Sequence, residues 1–384
     1  MRKLSTLVFF IVTAAGLSGC GTNSNPSKVY DRPTQQVTSM PQMGGAIQGT
    51  VLPAVKAVSR FAGTNGVAGL VDGGAATAQF NHPTDITTDG TNFYVADYLN
   101  NVIRRIDATG NVTTLQLSDA VSGATINLNR PTGITTDGKS LFVVDSGSNM
   151  IRFIDAASGK VTSVGSTNGV SGSIDSIYRA DARFNQPTGI TTDGSSLYVT
   201  DSGNHTIRRI VIATQVVTTM AGSSGENGSS DGSQADARFN LPARITTDGT
   251  NLYVTDFFNR TVRKIVITSG AVTTIAGLAT ISGNDDSPET GAAARFNQPN
   301  GITTDGKYLY VSDAYTNTIR RITLSSSSVY SGAVTTIAGS AGVSGSSDGS
   351  VSLATFNTPV GITTDGTALY VVDSGNHTIR KISP

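Results

Sequence analysis

Aspartate and arginine recur in this chain at fixed spacing, and such a pattern invites a catalytic reading in which carboxylates move protons and guanidinium groups hold anions. An Asp-Gly pair begins at Asp89, Asp137, Asp193, Asp248, Asp305 and Asp365. Eight residues later comes a second aspartate: Asp97, Asp145, Asp201, Asp256, Asp313 and Asp373. Seven beyond that lies an arginine: Arg104, Arg152, Arg208, Arg263, Arg320 and Arg380. A residue present in every copy, however, serves the copy. Asp201 and Arg208 flank one turn and fall near each other on facing strands, where opposite charges stabilise a hairpin by a few tenths to about 1 kcal/mol. Asn204 in that turn can bond local backbone groups. Chemistry is to be sought where one copy departs from the rest.

The elements that must carry these residues are strands. Each copy reads as Gly-Ile-Thr-Thr, an Asp-Gly turn, Leu-Tyr-Val-x-Asp, then Ile-Arg-Arg-Ile and Val-Thr-Thr-Ile-Ala-Gly. β-Branched and aromatic residues dominate, as half-buried pleated surfaces favour. Asp-Gly between apolar-alternating segments is a hairpin signal. Length variation falls between the copies, so each copy is rigid and the joins are loops. Four-stranded units at this period predict an all-β, six-bladed β-propeller. The sixth copy stops one strand short at Pro384, and a spare strand, residues 58–63, precedes the first. Pairing that strand beside residues 379–382 completes blade six, closes the ring and removes two exposed edges.

The chain resembles the NHL-repeat propellers. The resemblance rests on Phe184-Asn185-Gln186-Pro187-Thr188-Gly189-Ile190 and on Leu197-Tyr198-Val199-Thr200-Asp201-Ser202-Gly203-Asn204-His205-Thr206-Ile207-Arg208, which copy six repeats through Asp373, Asn376, His377 and Arg380. It implies that the first strand of each blade lines a central channel. It implies no activity, because that fold hosts both binding proteins and enzymes. His205 and His377 stand where the NHL pattern often has histidine and are structural; Asn101, Asn149, Arg260 and Asn317 take that place elsewhere. His82 lies outside the pattern. No H-E-x-x-H motif or Cys/His cluster suggests a metal.

Three departures remain. Gly133, Gly189, Gly301 and Gly361 precede Ile in the first strand, but blade one has Asp85 and blade four Arg244. These blades oppose each other, so the two charges face the channel mouth from opposite walls, as a ligand site or a long-range structural pair. Ser-Gly fills the turn between strands two and three in blades two, three and six, whereas the others carry Tyr98-Leu99, Phe257-Phe258 and Ala314-Tyr315. Phe257, Phe258 and Tyr315, on neighbouring blades, form a candidate interaction patch. The inter-blade loops, residues 225–238, 283–295 and 342–355, fall on the same face. Asp231 and Asp285-Asp286 suggest calcium there, but EF-hand spacing is absent, and aspartate capping a short helical turn fits better.

The N-terminus reads as an export signal. Arg2 and Lys3 precede a short apolar stretch, and Leu17-Ser18-Gly19-Cys20 resembles a bacterial lipobox. The expected organisation is a signal peptide over 1–19, a lipidated Cys20 and flexible tether over 20–56, and the propeller over 57–384. Gly21, where an aspartate favours inner-membrane retention, leans the location to the outer membrane. Cys20 is the only cysteine, and the formal net charge is +0, so there is no disulfide framework and no electrostatic footprint for nucleic acid. The expectation is a monomeric, lipid-anchored envelope module without a cofactor. It binds a protein or extracellular polymer through Asp85, Arg244, His82, Tyr98, Phe257, Phe258 and Tyr315. The alternative is a channel-mouth hydrolase or lyase, with or without assistance from a metal, using Asp85, Arg244 and His82.

Overall fold

The computed structural model describes residues 51–166, 168–324 and 332–384. The signal peptide, Cys20 and the tether up to residue 50 lie outside the described residues. The folded body is a ring of six sheets, antiparallel except where the short edge strand Ser118–Asp119 runs parallel to its neighbour in blade two. Blade three is typical: Pro187–Thr192, Ser196–Asp201, Thr206–Val211 and Val217–Ala221, hydrogen-bonded in sequence order. Its second strand is buried along its whole length, because both of its faces are covered. That is why these strands read as near-continuous apolar runs. The core therefore lies between blades. Phe142, Val144, Ile151 and Val164 of blade two pack with Phe184, Ile190, Leu197, Val199 and Ile210 of the next unit, and the same arrangement recurs around the ring.

Closure follows the expected route. Ala57–Ala62 pairs antiparallel with Thr378–Ser383, matching Val58 to Ile382 and Arg60 to Arg380, with a bulge before Ala62. The seam is also hydrophobic: Ala62, Phe80, Ile86 and Phe93 meet Tyr370, Val372 and Ile379. A two-strand splice thus carries the same apolar packing as every other seam. Its outer edge is covered by Gly349–Ser350, as Ser118–Asp119 and Gly232–Ser233 cover blades two and four, which blunts edges that would otherwise pair with other chains. The chain joins this body before the first strand: Leu52 is buried and donates its N–H to Asp305 Oδ2 at 3.0 Å.

The Asp-Gly turns are longer than a two-residue hairpin. Thr88 pairs with Phe93, leaving Asp89-Gly90-Thr91-Asn92 as the loop. Only the glycine takes positive φ, +87° at Gly90. Asp89 Oδ1 accepts the N–H groups of Thr91 and Asn92, and Oδ2 accepts the Tyr94 hydroxyl. The aspartate is kept for its carboxylate, which organises the turn, and not for a left-handed backbone.

Closure by Val58 gives a direct test. Val58 is buried among Leu52, Tyr310, Ile319, Phe356 and Ile382, and Ser59 beside it is exposed. Val58→Asp should lower the unfolding free energy in urea by about 3 kcal/mol or more, since it buries an unpaired carboxylate. Ser59→Asp should change it by under about 0.5 kcal/mol. Equal effects would remove the strand from the core.

Candidate functional site at the channel mouth

The repeated charges are more deeply built in than a surface hairpin pair. Asp201 and Arg208 are both fully buried and meet at 2.8 Å. Arg208 sits opposite Val199, so the contact is diagonal across the strands. Its second nitrogen reaches Asp175 of the inter-blade loop at 2.6 Å and the Ile174 carbonyl at 3.0 Å, and the first also bonds the Arg183 carbonyl. The guanidinium lies over the Phe184 ring, 5.1 Å from its centre. Arg104, Arg263, Arg320 and Arg380 repeat this with Phe80, Phe239, Phe296 and Phe356 below them and Asp72, Asp231, Asp286 and Asp348 outside. Burial pushes the Asp201 carboxyl up against the opposing pull of Arg208. The Coulombic gain is therefore offset by desolvation, and the network's value lies in geometry and in leaving no charge alone.

Two loop readings are corrected by this. Asp231 does not cap the short turn Gln234–Asp236, whose N-cap residue is Ser233. Its carboxylate clamps Arg263 and accepts both the N–H and the hydroxyl of Thr274. Asp286 does the same for Arg320 and Thr336. Nor does Asn204 bond only locally. Its side chain donates to the Gly172 carbonyl and to Asp201.

The histidines are inter-blade latches. His205 Nδ1 accepts the N–H of Leu241 and His377 Nδ1 that of His82, each at 3.1 Å. Asn101, Asn149 and Asn317 do the same for Arg130, Gln186 and Thr358 through Oδ1. Each acceptor is in the left-handed region, and each donor is a left-handed residue just before proline, a conformation that needs outside support. Arg260 has no acceptor to offer. At that seam Gln298 is not among the left-handed residues, and its N–H turns to Asp313 Oδ1 at 2.7 Å. Asp313 is drawn off its arginine, which stands 3.8 Å away.

Along the channel the six first strands present isoleucine and threonine, and the cavity there is only about 30 Å³, room for roughly one or two waters. Asp85 and Arg244 close its top. Arg244 crosses from blade four, donating to the carbonyls of Thr84, Thr132 and Thr188 at 3.1, 2.9 and 3.3 Å, with Nε 3.6 Å from Asp85 Oδ2. Asp85 Oδ2 also accepts the Ile134 N–H. Burial raises the Asp85 carboxyl and lowers Arg244, against their mutual attraction. The two residues bolt blades one to four together. Glycine holds this place elsewhere because neighbouring first strands touch by backbone: a Cβ on Gly361 would lie 2.6 Å from the Asp85 Cα.

Above the bolt opens a cavity of about 470 Å³. Arg244 forms its floor, and Tyr98 and the pair Phe257-Phe258 stand on blades one and four across the mouth. The Phe rings pack edge to face at 5.3 Å, and Phe258 is 48% exposed. Ser146-Gly147 and Ser202 keep the turns of blades two and three low. Arg244, Tyr98, Phe257 and Phe258 are thus brought together. Asp85 lies beneath, in the channel. His82 does not line the cavity and packs on His377 at the closing seam; Tyr315 is 66% exposed and also outside it. Arg130, Gln186, Leu241 and Asn300 line the cavity, and none of them stood out in the sequence as a site residue. Three of them are the residue before proline, a position that varies from blade to blade while its neighbours do not.

Residues 184–210 match the NHL repeat family. Human NHL repeat-containing protein 2 is 26% identical over 257 residues, covering 58% of this chain and 34% of that protein. The chain therefore spans about a third of that curated relative. Among solved structures, a Bacteroides thetaiotaomicron protein of unknown function matches with TM-score 0.64 at 23% identity, over 85% of this chain and 76% of its own. An auxiliary nutrient binding protein from the same organism also gives 0.64, at 19% identity, over 88% and 78%. At these identities the likeness is one of fold.

The latches make stability pH-dependent. Burial lowers the affinity of His205 for a proton below its ordinary value of 6.5; burial and then the neighbouring His82 do so for His377. The unfolded chain thus binds more protons just below that pH, and stability falls as pH drops through it. Replacing both residues by asparagine, the acceptor at three other seams, should keep stability at about pH 7.5 and flatten its loss toward about pH 5.5 in thermal melts. An unchanged slope would acquit the histidines.

Proposed function

The chain is an NHL-repeat six-bladed β-propeller, and from that premise we propose that it is a binding module of the bacterial cell envelope. It is tethered by lipid on Cys20, with the outer membrane favoured, and recognises a protein or extracellular polymer through the loop face, without chemistry of its own. The observation that carries this is the cavity over the Arg244 bolt, flanked by Tyr98 and Phe257-Phe258. Its volume lies within the range of about 300–1,000 Å³ usual for ligand sites, and its aromatic residues sit on turns where blades two, three and six have Ser-Gly. A structural neighbour described as a nutrient binding protein supports a binding role on this fold. The geometry does not assemble the residues that a channel-mouth hydrolase or lyase would use. Asp85 and Arg244 are engaged with each other, and His82 lies at another seam, against His377.

The full chain should capture a partner from envelope extract, and a Phe257→Ala/Phe258→Ala variant should lose that capture by about tenfold or more, as loss of a central aromatic anchor does. The variant should melt close to the parent, because Phe258 is about half exposed and Phe257 only half-buried on the same turn. Undiminished capture by a folded double variant would contradict the placement of the site.

A further inference from the structure

The proposed binding role leaves the ligand unnamed, and the cavity's chemistry narrows it. Two arginines line it, and no aspartate or glutamate does. Arg244 is already matched by Asp85 beneath it. Arg130 is exposed, and among the described residues it has no carboxylate within ion-pair distance. Only its backbone is engaged, donating to Asn101. One uncompensated positive charge therefore stands at the rim of a cavity whose other features are aromatic and neutral-polar. Such a site repels cations and favours a ligand bearing an anionic group.

The remaining lining describes the body of that ligand. Tyr98 and Phe257-Phe258 offer apolar ring faces from two sides of the mouth. Gln186, Asn300 and Ser146 offer neutral donors and acceptors between them. Asn300 Oδ1 is buried without a hydrogen-bond partner, which leaves that amide incompletely satisfied by the protein alone. A ligand that presents flat C–H faces to aromatic rings, hydroxyl groups to amides and one carboxylate to a guanidinium is an acidic sugar. A planar guanidinium matches a carboxylate by two parallel hydrogen bonds.

We infer that the channel-mouth cavity binds an acidic oligosaccharide, with its uronate-type carboxylate on Arg130 and a sugar ring against Phe257, Phe258 and Tyr98. This rests on the binding reading of the same face and gives it a ligand class. The low Ser-Gly turns of blades two and three leave the side of the cavity next to Arg130 open, so a chain longer than the cavity can extend across them.

The test is calorimetric titration of the full chain with an array of oligosaccharides carrying uronic or sialic acids, each paired with a form whose carboxylates are reduced to alcohols. At least one acidic member should bind, and its reduced form should bind about tenfold more weakly, as loss of a charged hydrogen bond implies. Arg130→Gln should bring the acidic form down to the affinity of the reduced one and leave the reduced one unchanged. That variant is safe for the fold, since Gln186 holds the same left-handed place before proline in blade three. Phe257→Ala should weaken both forms. The proposal is overturned if no acidic glycan binds, or if Arg130→Gln leaves the acid-over-alcohol preference intact. It also falls if the partner lost in the Phe257→Ala/Phe258→Ala variant is a protein recognised through its peptide, although the binding face then stands. If that variant loses no partner, the face itself falls.

Discussion

Five of the six blades are held by a guanidinium that has left water completely or nearly so. Arg104, Arg208, Arg263, Arg320 and Arg380 are at most 2% exposed, and an ion so placed tolerates no missing partner. Each finds an aspartate at the end of its own blade's second strand, although in blade five Asp313 stands off. Each also finds an aspartate and a carbonyl in the incoming loop, and a phenylalanine face beneath. Nε alone goes unbonded in all five. The requirement is reciprocal. The charge needs the loop, and the loop, which has little regular structure of its own, is pinned because the charge needs it. The loop face is therefore a fixed surface on which a site can be built.

Blade two shows what happens when the requirement is relaxed. Leu128 takes the place of the phenylalanine, and no loop aspartate reaches Arg152. That arginine turns both Nε and a terminal nitrogen onto Asp145, takes Ser163 as a further partner, and is 12% exposed at its side chain. Blade four departs in other places. Its Arg244, Phe257, Phe258 and Arg260 all break the pattern, and between them they supply the floor and one wall of the cavity and the one seam without an Asn or His latch. Departures gathered in one blade bias a ring of near-equal units toward one side, which is what an asymmetric ligand needs.

Much of the fold was legible from residue types at fixed spacing: the six units, their strands, and closure by a strand read as residues 58–63 and found at Ala57–Ala62. So was the opposition of Asp85 and Arg244, because closure numbers the blades around a circle. What spacing could not convey was depth. Asp201 and Arg208 read as neighbours across a hairpin, but their desolvation comes from the incoming loop, where Asp72, Asp231 and Asp348 keep one spacing from the proline while Asp175 and Asp286 slip by one or two residues. The acceptor role of His205 was hidden for a related reason, since its partner, the Leu241 N–H, lies in the next blade. Arg130 and Gln186 escaped notice because the position before proline looks like loop. The backbone strain that aims it at the channel mouth is visible only in the fold.

The dependence of the blades on a buried, loop-clamped guanidinium is tested most directly by comparing Arg208→Met with Arg152→Met in equilibrium unfolding. Methionine keeps much of the apolar stem and removes the charge. The account predicts that Arg208→Met loses about 3–5 kcal/mol, as breaking one partner of a buried ion pair does, and that Arg152→Met loses about half of that or less. Equal losses, or a loss at Arg208 of only about 1 kcal/mol as for a surface pair, would contradict it.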